Sequence, residues 1–139
     1  MRIGIAGSMQ HTERMIEVAE ELRSHGHDVF LSRSAAEFVG KTDDEKEALK
    51  MHHKFARDAI RDFWRQMQGA DALLVANFDK GGIPNYIGGN ALMEIGFAHV
   101  MGQEVFLLNP VPDIPFYRTE IEAMRPTVLD GDLSCFVGR

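Results

Sequence analysis

Glu94 stands in Ala91-Leu92-Met93-Glu94-Ile95-Gly96-Phe97-Ala98, a stretch with helical spacing that is otherwise apolar on every side. A helix of that kind is buried in a core or an interface. A carboxylate on it must be hydrogen-bonded, ion-paired or protonated, because removal of water penalises the charged form and raises the pKa. An acid kept at that cost beside a cleft is a candidate for catalysis; the alternative is a structural glutamate bonded to backbone or covered by a second subunit. The run ahead of it, Gly81-Gly82-Ile83-Pro84-Asn85-Tyr86-Ile87-Gly88-Gly89-Asn90, favours the catalytic reading. Glycines let a backbone approach a ligand closely. Gly88, Gly89 and Asn90 fall near the helix start, whose free N–H groups suit oxygen-rich ligands. Asn85 and Tyr86 are candidate ligand contacts, and an ordinary turn capped by Asn90 is the competing account of the same residues.

Other groups carry weaker signals. Gly7 and Ser8 follow the first apolar strand and precede a helix, the position where open α/β sheets commonly hold phosphate. Together with Gln10 they are the candidate substrate contacts of that loop, although neither a dinucleotide fingerprint nor a phosphate-loop lysine motif is present. Asp71 opens a strand and Asp62 lies on the helix before it; each taken alone reads as a solvated aspartate. The six histidines include no metal signature, and His52 and His53 are adjacent and so face different sides of a helix. No metal and no cofactor is expected. Met9, Met15, Met93 and Met101 read as core filler. Cys135 is the single cysteine, read as a small half-buried side chain.

The elements that would position these groups follow from periodicity and punctuation. Residues 2–6 read as a buried strand. Met15, Val18, Ala19 and Leu22 make a helical stripe, with Ser8 as its N-cap and Gly26 as its stop. Residues 27–32 read as a second strand. Thr42 and Glu45 form a capping box, and one long helix is expected over residues 42–68. Residues 71–76 are apolar on both faces, as in the middle of a parallel sheet. A helix over 91–101, a strand over 104–108, a short helix over 116–124 and an edge strand over 126–129 complete the chain. This alternation predicts one α/β domain over residues 1–139: a flavodoxin-like, doubly wound, five-stranded parallel sheet in order 2-1-3-4-5, within a three-layer sandwich. Ligands in such sheets bind outside the carboxyl ends of the strands, which singles out the loops 7–11, 77–90 and 109–117.

Bulk properties narrow the partners. A length of 139 residues suits one domain with its own core. The formal net charge of -6 repels phosphate backbones, so nucleic acid is not an expected partner. One cysteine gives no internal disulfide. No run approaches the length of a membrane span, and the N-terminus enters a strand without a leader pattern, so a cytoplasmic protein with no membrane partner is expected.

Asp71-Ala-Leu-Leu-Val, a glycine-bearing loop, Glu94-Ile-Gly-Phe-Ala and Gly102-Gln-Glu-Val-Phe-Leu-Leu together resemble the nucleoside 2-deoxyribosyltransferase superfamily, which includes the deoxynucleoside 5′-monophosphate N-glycosidases. The likeness runs from Ile3 to about Leu108. It implies a flavodoxin-like sheet and cleavage of an N-glycosidic bond, with Glu94 in the place of the family's nucleophile and Asp62 nearest the assisting acid or base. The first loop carries Gln10 and His11 where the monophosphate hydrolases have an arginine and glycines, which weakens the case for a 5′-phosphate.

The expected function is therefore cleavage of a (deoxy)nucleoside or nucleotide at its glycosidic bond, by hydrolysis or by transfer to a second base. Such cleavage passes through an oxocarbenium-like state that a carboxylate can stabilise or trap. The competing readings are a nicotinamide-dinucleotide glycohydrolase, resembling Toll/interleukin-receptor-type domains that also use one glutamate, and a non-catalytic nucleotide sensor. The apolar surface of residues 42–68 and 91–101 predicts a homo-oligomer, most simply a dimer, and the resemblance points the same way.

Overall fold

The computed structural model describes residues Met1–Arg139. Strand β3 (Ala72–Val75) is buried at every position because it is apolar on both sides, and this places it inside the sheet. It pairs in parallel with β1 (Arg2–Ala6) on one side and β4 (Glu104–Leu107) on the other. Strand β2 (Asp28–Phe30) pairs with the free edge of β1 and β5 (Thr127–Val128) with that of β4. The sheet is thus five-stranded, all parallel, in order β2-β1-β3-β4-β5, the flavodoxin-like arrangement anticipated above.

Helices cover both faces. Helix α1 (Thr12–Ser24) buries Met15, Ala19 and Leu22 against one face, where Leu133 and Phe136 of the C-terminal segment join them. On the other face α3 (Ala59–Met67) contributes Phe63 and Met67, α4 (Gly89–Val100) contributes Ala91, Ile95 and Ala98, and α5 (Arg118–Ala123) contributes Ile121. Each large aliphatic side chain so buried stabilises the fold by roughly 1.5–3 kcal/mol. No helix is long and apolar enough to cross a membrane.

The single helix expected over residues 42–68 is two. Helix α2 (Asp43–Ala56) starts at the Thr42/Glu45 capping box and ends at Arg57; α3 restarts after Asp58. Asp58 adopts a left-handed conformation, φ 48°, and its carboxylate accepts from the Arg61 N–H at 3.3 Å, so it caps a new helix within a continuous apolar stripe. The break turns α2 away from the sheet, toward the turn after β1 and toward α3. Its Met51 and Phe55 face outward, Phe55 being 77% exposed. Boundaries move elsewhere too. Ser8 caps a short 3-10 turn, Met9–His11, and α1 begins only at Thr12. The N-cap of α4 is Gly88, which puts Asn90 inside the first turn. Cys135 is exposed rather than half-buried.

Candidate functional site

The carboxyl ends of β1 and β3 point into one cleft of about 530 Å³, at the switch in strand order. That volume suits a nucleoside-sized ligand. Gly7 and Ser8 line it from the β1 turn, Ser32 and Ser34 from the segment after β2, and Tyr86, Gly88, Gly89 and Asn90 from the loop entering α4. The turn at Gly7 runs against β3: a Cβ there would stand 3.0 Å from the Ala76 carbonyl oxygen and 3.3 Å from the Met15 sulfur. Ser8 Oγ accepts from the Gln10 N–H at 3.4 Å, which holds the turn in shape.

Glu94 comes to the cleft because α4 is steered by its own apolar face. Ala91, Ile95 and Ala98 lock onto the sheet, and a residue one position before Ile95 then lies at the side of the helix, half-buried, with the cleft in front of it. The carboxyl group has no hydrogen bond and no ion pair, and burial alone pushes its pKa up to about 8. At neutral pH it is therefore mostly a neutral acid. It is also the only carboxyl residue lining the cleft. Met93, expected in the core, is instead 39% exposed and lines the same cleft.

The glycines of the loop 77–90 divide their work. Gly81 and Gly82, φ 59° and 78°, make a two-residue turn closed by Lys80 N–H to Ile83 O at 3.1 Å and the reverse bond at 3.0 Å. They shape the loop and do not touch the cleft. Gly88 and Gly89 do. A Cβ on Gly88 would meet the Tyr86 ring at 3.1 Å, so the absence of a side chain lets that ring lie on the start of α4. On Gly89 a Cβ would meet nothing within 4 Å, which leaves the helix start open. Gly88 offers α4 no side-chain cap, so the first-turn N–H groups of the helix have no partner within the chain.

Four of the anticipated residues lie away from this cleft. Asp71 sits at the amino end of the strands, the opposite edge of the sheet, where its Oδ2 accepts from the Arg2 N–H at 2.7 Å and ties β1 to β3. Gln10 offers its carbonyl to Lys46 Nζ at 3.2 Å. Asn85 is a turn residue with φ 56°, its N–H bonded to Asp79 Oδ1 at 2.9 Å. Asp62 is on the first turn of α3, 4.0 Å from Arg33, and lines a side lobe of about 190 Å³ rather than the cleft that holds Glu94. The lobe and the cleft share Ser32, Ser34, His53 and Ala59.

Several residues of the site were not anticipated. His53 is 4% exposed, lines both spaces, and is held edge-on to Phe38 with Glu37 Oε2 3.6 Å from its Nε2. Lys50 and Lys54, spaced i, i+4 on α2, and Lys80 line the cleft as well. The i, i+4 spacing was legible, but only the break at Asp58 decides that this face of α2 looks onto the β1–β3 cleft. Behind the loop, buried Asn77 clasps Asn109: Asn77 Oδ1 accepts from the Asn109 N–H at 2.9 Å, Asn77 Nδ2 donates to Asn109 O at 2.9 Å and Pro110 O at 3.0 Å, and Asn109 Nδ2 donates to Asn77 O at 3.1 Å. The loops after β3 and β4 are thereby joined at their roots. The Tyr117 hydroxyl donates to the Ile87 carbonyl, a second tie behind Tyr86. No group of residues has the makings of a metal site. No family model matches the chain, and neither a curated protein nor a solved structure matches it.

Proposed function

We propose that the protein cleaves the N-glycosidic bond of a nucleoside or nucleotide, with Glu94 attacking or stabilising the anomeric carbon. The observation that carries this reading is the unpartnered, desolvated Glu94 carboxyl in a nucleoside-sized cleft at the strand-order switch. A structural glutamate in such a place would be bonded or paired; this one is kept costly and open to a ligand. The resemblance of the Glu94 segment to the nucleoside 2-deoxyribosyltransferase superfamily supports the same assignment. In its ionised form Glu94 can trap the oxocarbenium-like carbon, and departure of the base leaves a glycosyl-enzyme that water or a second base resolves.

Asp62 as the assisting acid requires a substrate that reaches into the side lobe. His53 lines both spaces and is a second candidate to protonate the leaving base. A homodimer that covers the exposed Met51, Phe55, Trp64 and Val100 belongs to the same proposal.

The test is a panel of nucleosides, 5′-nucleotides and nicotinamide dinucleotide incubated with the protein, with free base measured by chromatography. Release of a purine or pyrimidine base, lost by several powers of ten in Glu94→Gln with binding retained, is the expected result. Release of nicotinamide alone moves the assignment to the dinucleotide glycohydrolases. Tight binding without release of any base makes the protein a sensor and Glu94 a binding residue.

A further inference from the structure

The charges around the cleft do not match those of the chain. The protein carries a formal net charge of -6, yet three lysines, Lys50, Lys54 and Lys80, line this cleft against the single carboxyl of Glu94. Glu94, held up to about 8, is mostly neutral at pH 7 and offsets little of that positive charge. Lys50 is partly answered by Glu47 at 2.8 Å. Lys54 and Lys80 have no carboxylate within ion-pair distance. Lys80 is half-buried, and desolvation followed by repulsion from Lys50 lowers its pKa, with Glu47 and Asp43 pulling the other way. Three ammonium groups thus share the nearby Glu47, with Asp43 acting on Lys80 as well, and the surplus of positive charge at one cleft, partly desolvated at Lys80, favours an anionic ligand.

A second feature points the same way. The Lys80 ammonium stands 5.3 Å from the centre of the Tyr86 ring, and that ring lies on Gly88, the uncapped start of α4. The partnerless first-turn N–H groups of a twelve-residue helix, with open space at Gly89, thus face the same opening as the lysines. Such a terminus favours negative charge. None of these lysines is ion-paired to Glu94, and Lys50 and Lys54 stand on a different helix of the cleft wall. A ligand whose anionic group and reacting carbon are held by different walls of one cleft fits this placement.

We propose that Lys50, Lys54, Lys80 and the first turn of α4 form an anion subsite for a phosphate monoester, so that the substrate is a phosphorylated nucleoside rather than the free nucleoside. The nucleoside half of this statement rests on the proposed glycosidase reading; the anion subsite does not. It also replaces the expectation drawn from the first loop, where Gln10 and His11 argued against a phosphate: the positive charge comes from α2 and from the turn at Lys80 instead.

Calorimetric titration of the intact protein tests this, with nucleoside 5′-monophosphates, the matching nucleosides, ribose 5-phosphate and inorganic phosphate as probes, and base release measured on the same samples. One monophosphate should bind at least about thirtyfold more tightly than its nucleoside in low salt, and the advantage should shrink when salt is raised. Lys54→Ala and Lys80→Ala should each reduce that advantage about tenfold, and Lys80→Gln, which keeps the side-chain length, should match Lys80→Ala. Lys41→Ala, an exposed lysine outside the cleft, should not change it. Equal affinity for nucleoside and monophosphate, or a preference that survives the lysine variants, overturns the subsite. Inorganic phosphate binding as tightly as every nucleotide overturns the nucleoside half. A clear monophosphate preference without base release keeps the subsite and removes the glycosidase reading, whereas base release from free nucleosides without that preference does the reverse.

Discussion

Replacing Glu94 by glutamine should make the ligand-free protein more stable at high pH while leaving it unchanged at low pH. The unfolded chain releases this proton near 4.5, and the folded chain near 8. Below about 4.5 both states hold the proton and the site contributes no penalty. Between about 4.5 and 8 the unfolded state is ionised and the folded state is not, so stability falls as pH rises, and above 8 the loss is complete. The gap between the two values, at about 1.36 kcal/mol per pKa unit, sets an upper bound of about 5 kcal/mol. Linkage ties this loss to the pKa itself: a folded value near 8 brings nearly all of it by about pH 8.5, and screening by water in the cleft would lower the pKa and the loss together. Glutamine matches the neutral acid in shape and polarity and has no proton to lose. Unfolding entropy near 2.1 cal/mol/K per residue makes about 0.3 kcal/mol/K for 139 residues, so each 1 kcal/mol is about 3 °C in Tm. The assay is thermal or urea unfolding of both proteins from pH 4 to 9. The two should come together as pH falls below about 4.5, and the lead of the variant should grow from about 3 °C near pH 5 to about 15 °C near pH 8.5. Parallel curves would refute the reasoning, for they would mean that the carboxyl ionises as freely in the cleft as in the unfolded chain.

If ionised Glu94 is the nucleophile, kcat/KM for a cleaved substrate should rise about tenfold per unit from pH 6 toward 8 and then level off; a fall above pH 8 would assign it the role of acid instead. Lys46 is 4% exposed and its Nζ lies 2.7 Å from Glu13 Oε2, a bond that, with the Gly40 N–H, lowers the Glu13 pKa to about 2. This contribution is present above about 4.5 and lost as pH falls toward 2. Since Glu13 is 43% exposed, Glu13→Gln should cost only about 2 kcal/mol at pH 7 and about nothing near pH 2, as followed by urea unfolding. Asn77→Ala removes the clasp to Asn109 and leaves buried backbone groups unpaired; we expect a loss of about 3 kcal/mol and faster amide exchange at Tyr86 and Asn109. Light scattering at micromolar concentration should give twice the monomer mass, and Phe55→Glu should shift it to the monomer if this exposed side chain lies in the interface.

The sheet was readable from the chain because its signals are local. Uninterrupted apolar runs mark Ala72–Val75 as interior, and the alternation of such runs with amphipathic helices leaves few ways to wind a parallel sheet. Glu94 was readable for the same reason: a charge inside an apolar helix is anomalous within eight residues of sequence. The glycines next to it marked the loop, although Gly81-Gly82 and Gly88-Gly89 do different things, and only their backbone angles and neighbours separate a tight turn from an open helix start. What lay beyond the sequence depended on direction and distance. Asp71 immediately precedes β3 at its amino end, on the opposite edge of the sheet from the cleft. The left-handed Asp58 cap splits a stripe that periodicity alone joins. That break carries Lys50, Lys54 and His53 to the cleft, some forty residues before Glu94 in the chain, and leaves Asp62 in the lobe beside it. Periodicity records which side of an element meets the core; which elements then meet one another over the end of the sheet is set by where the chain turns, and only the folded structure decides that.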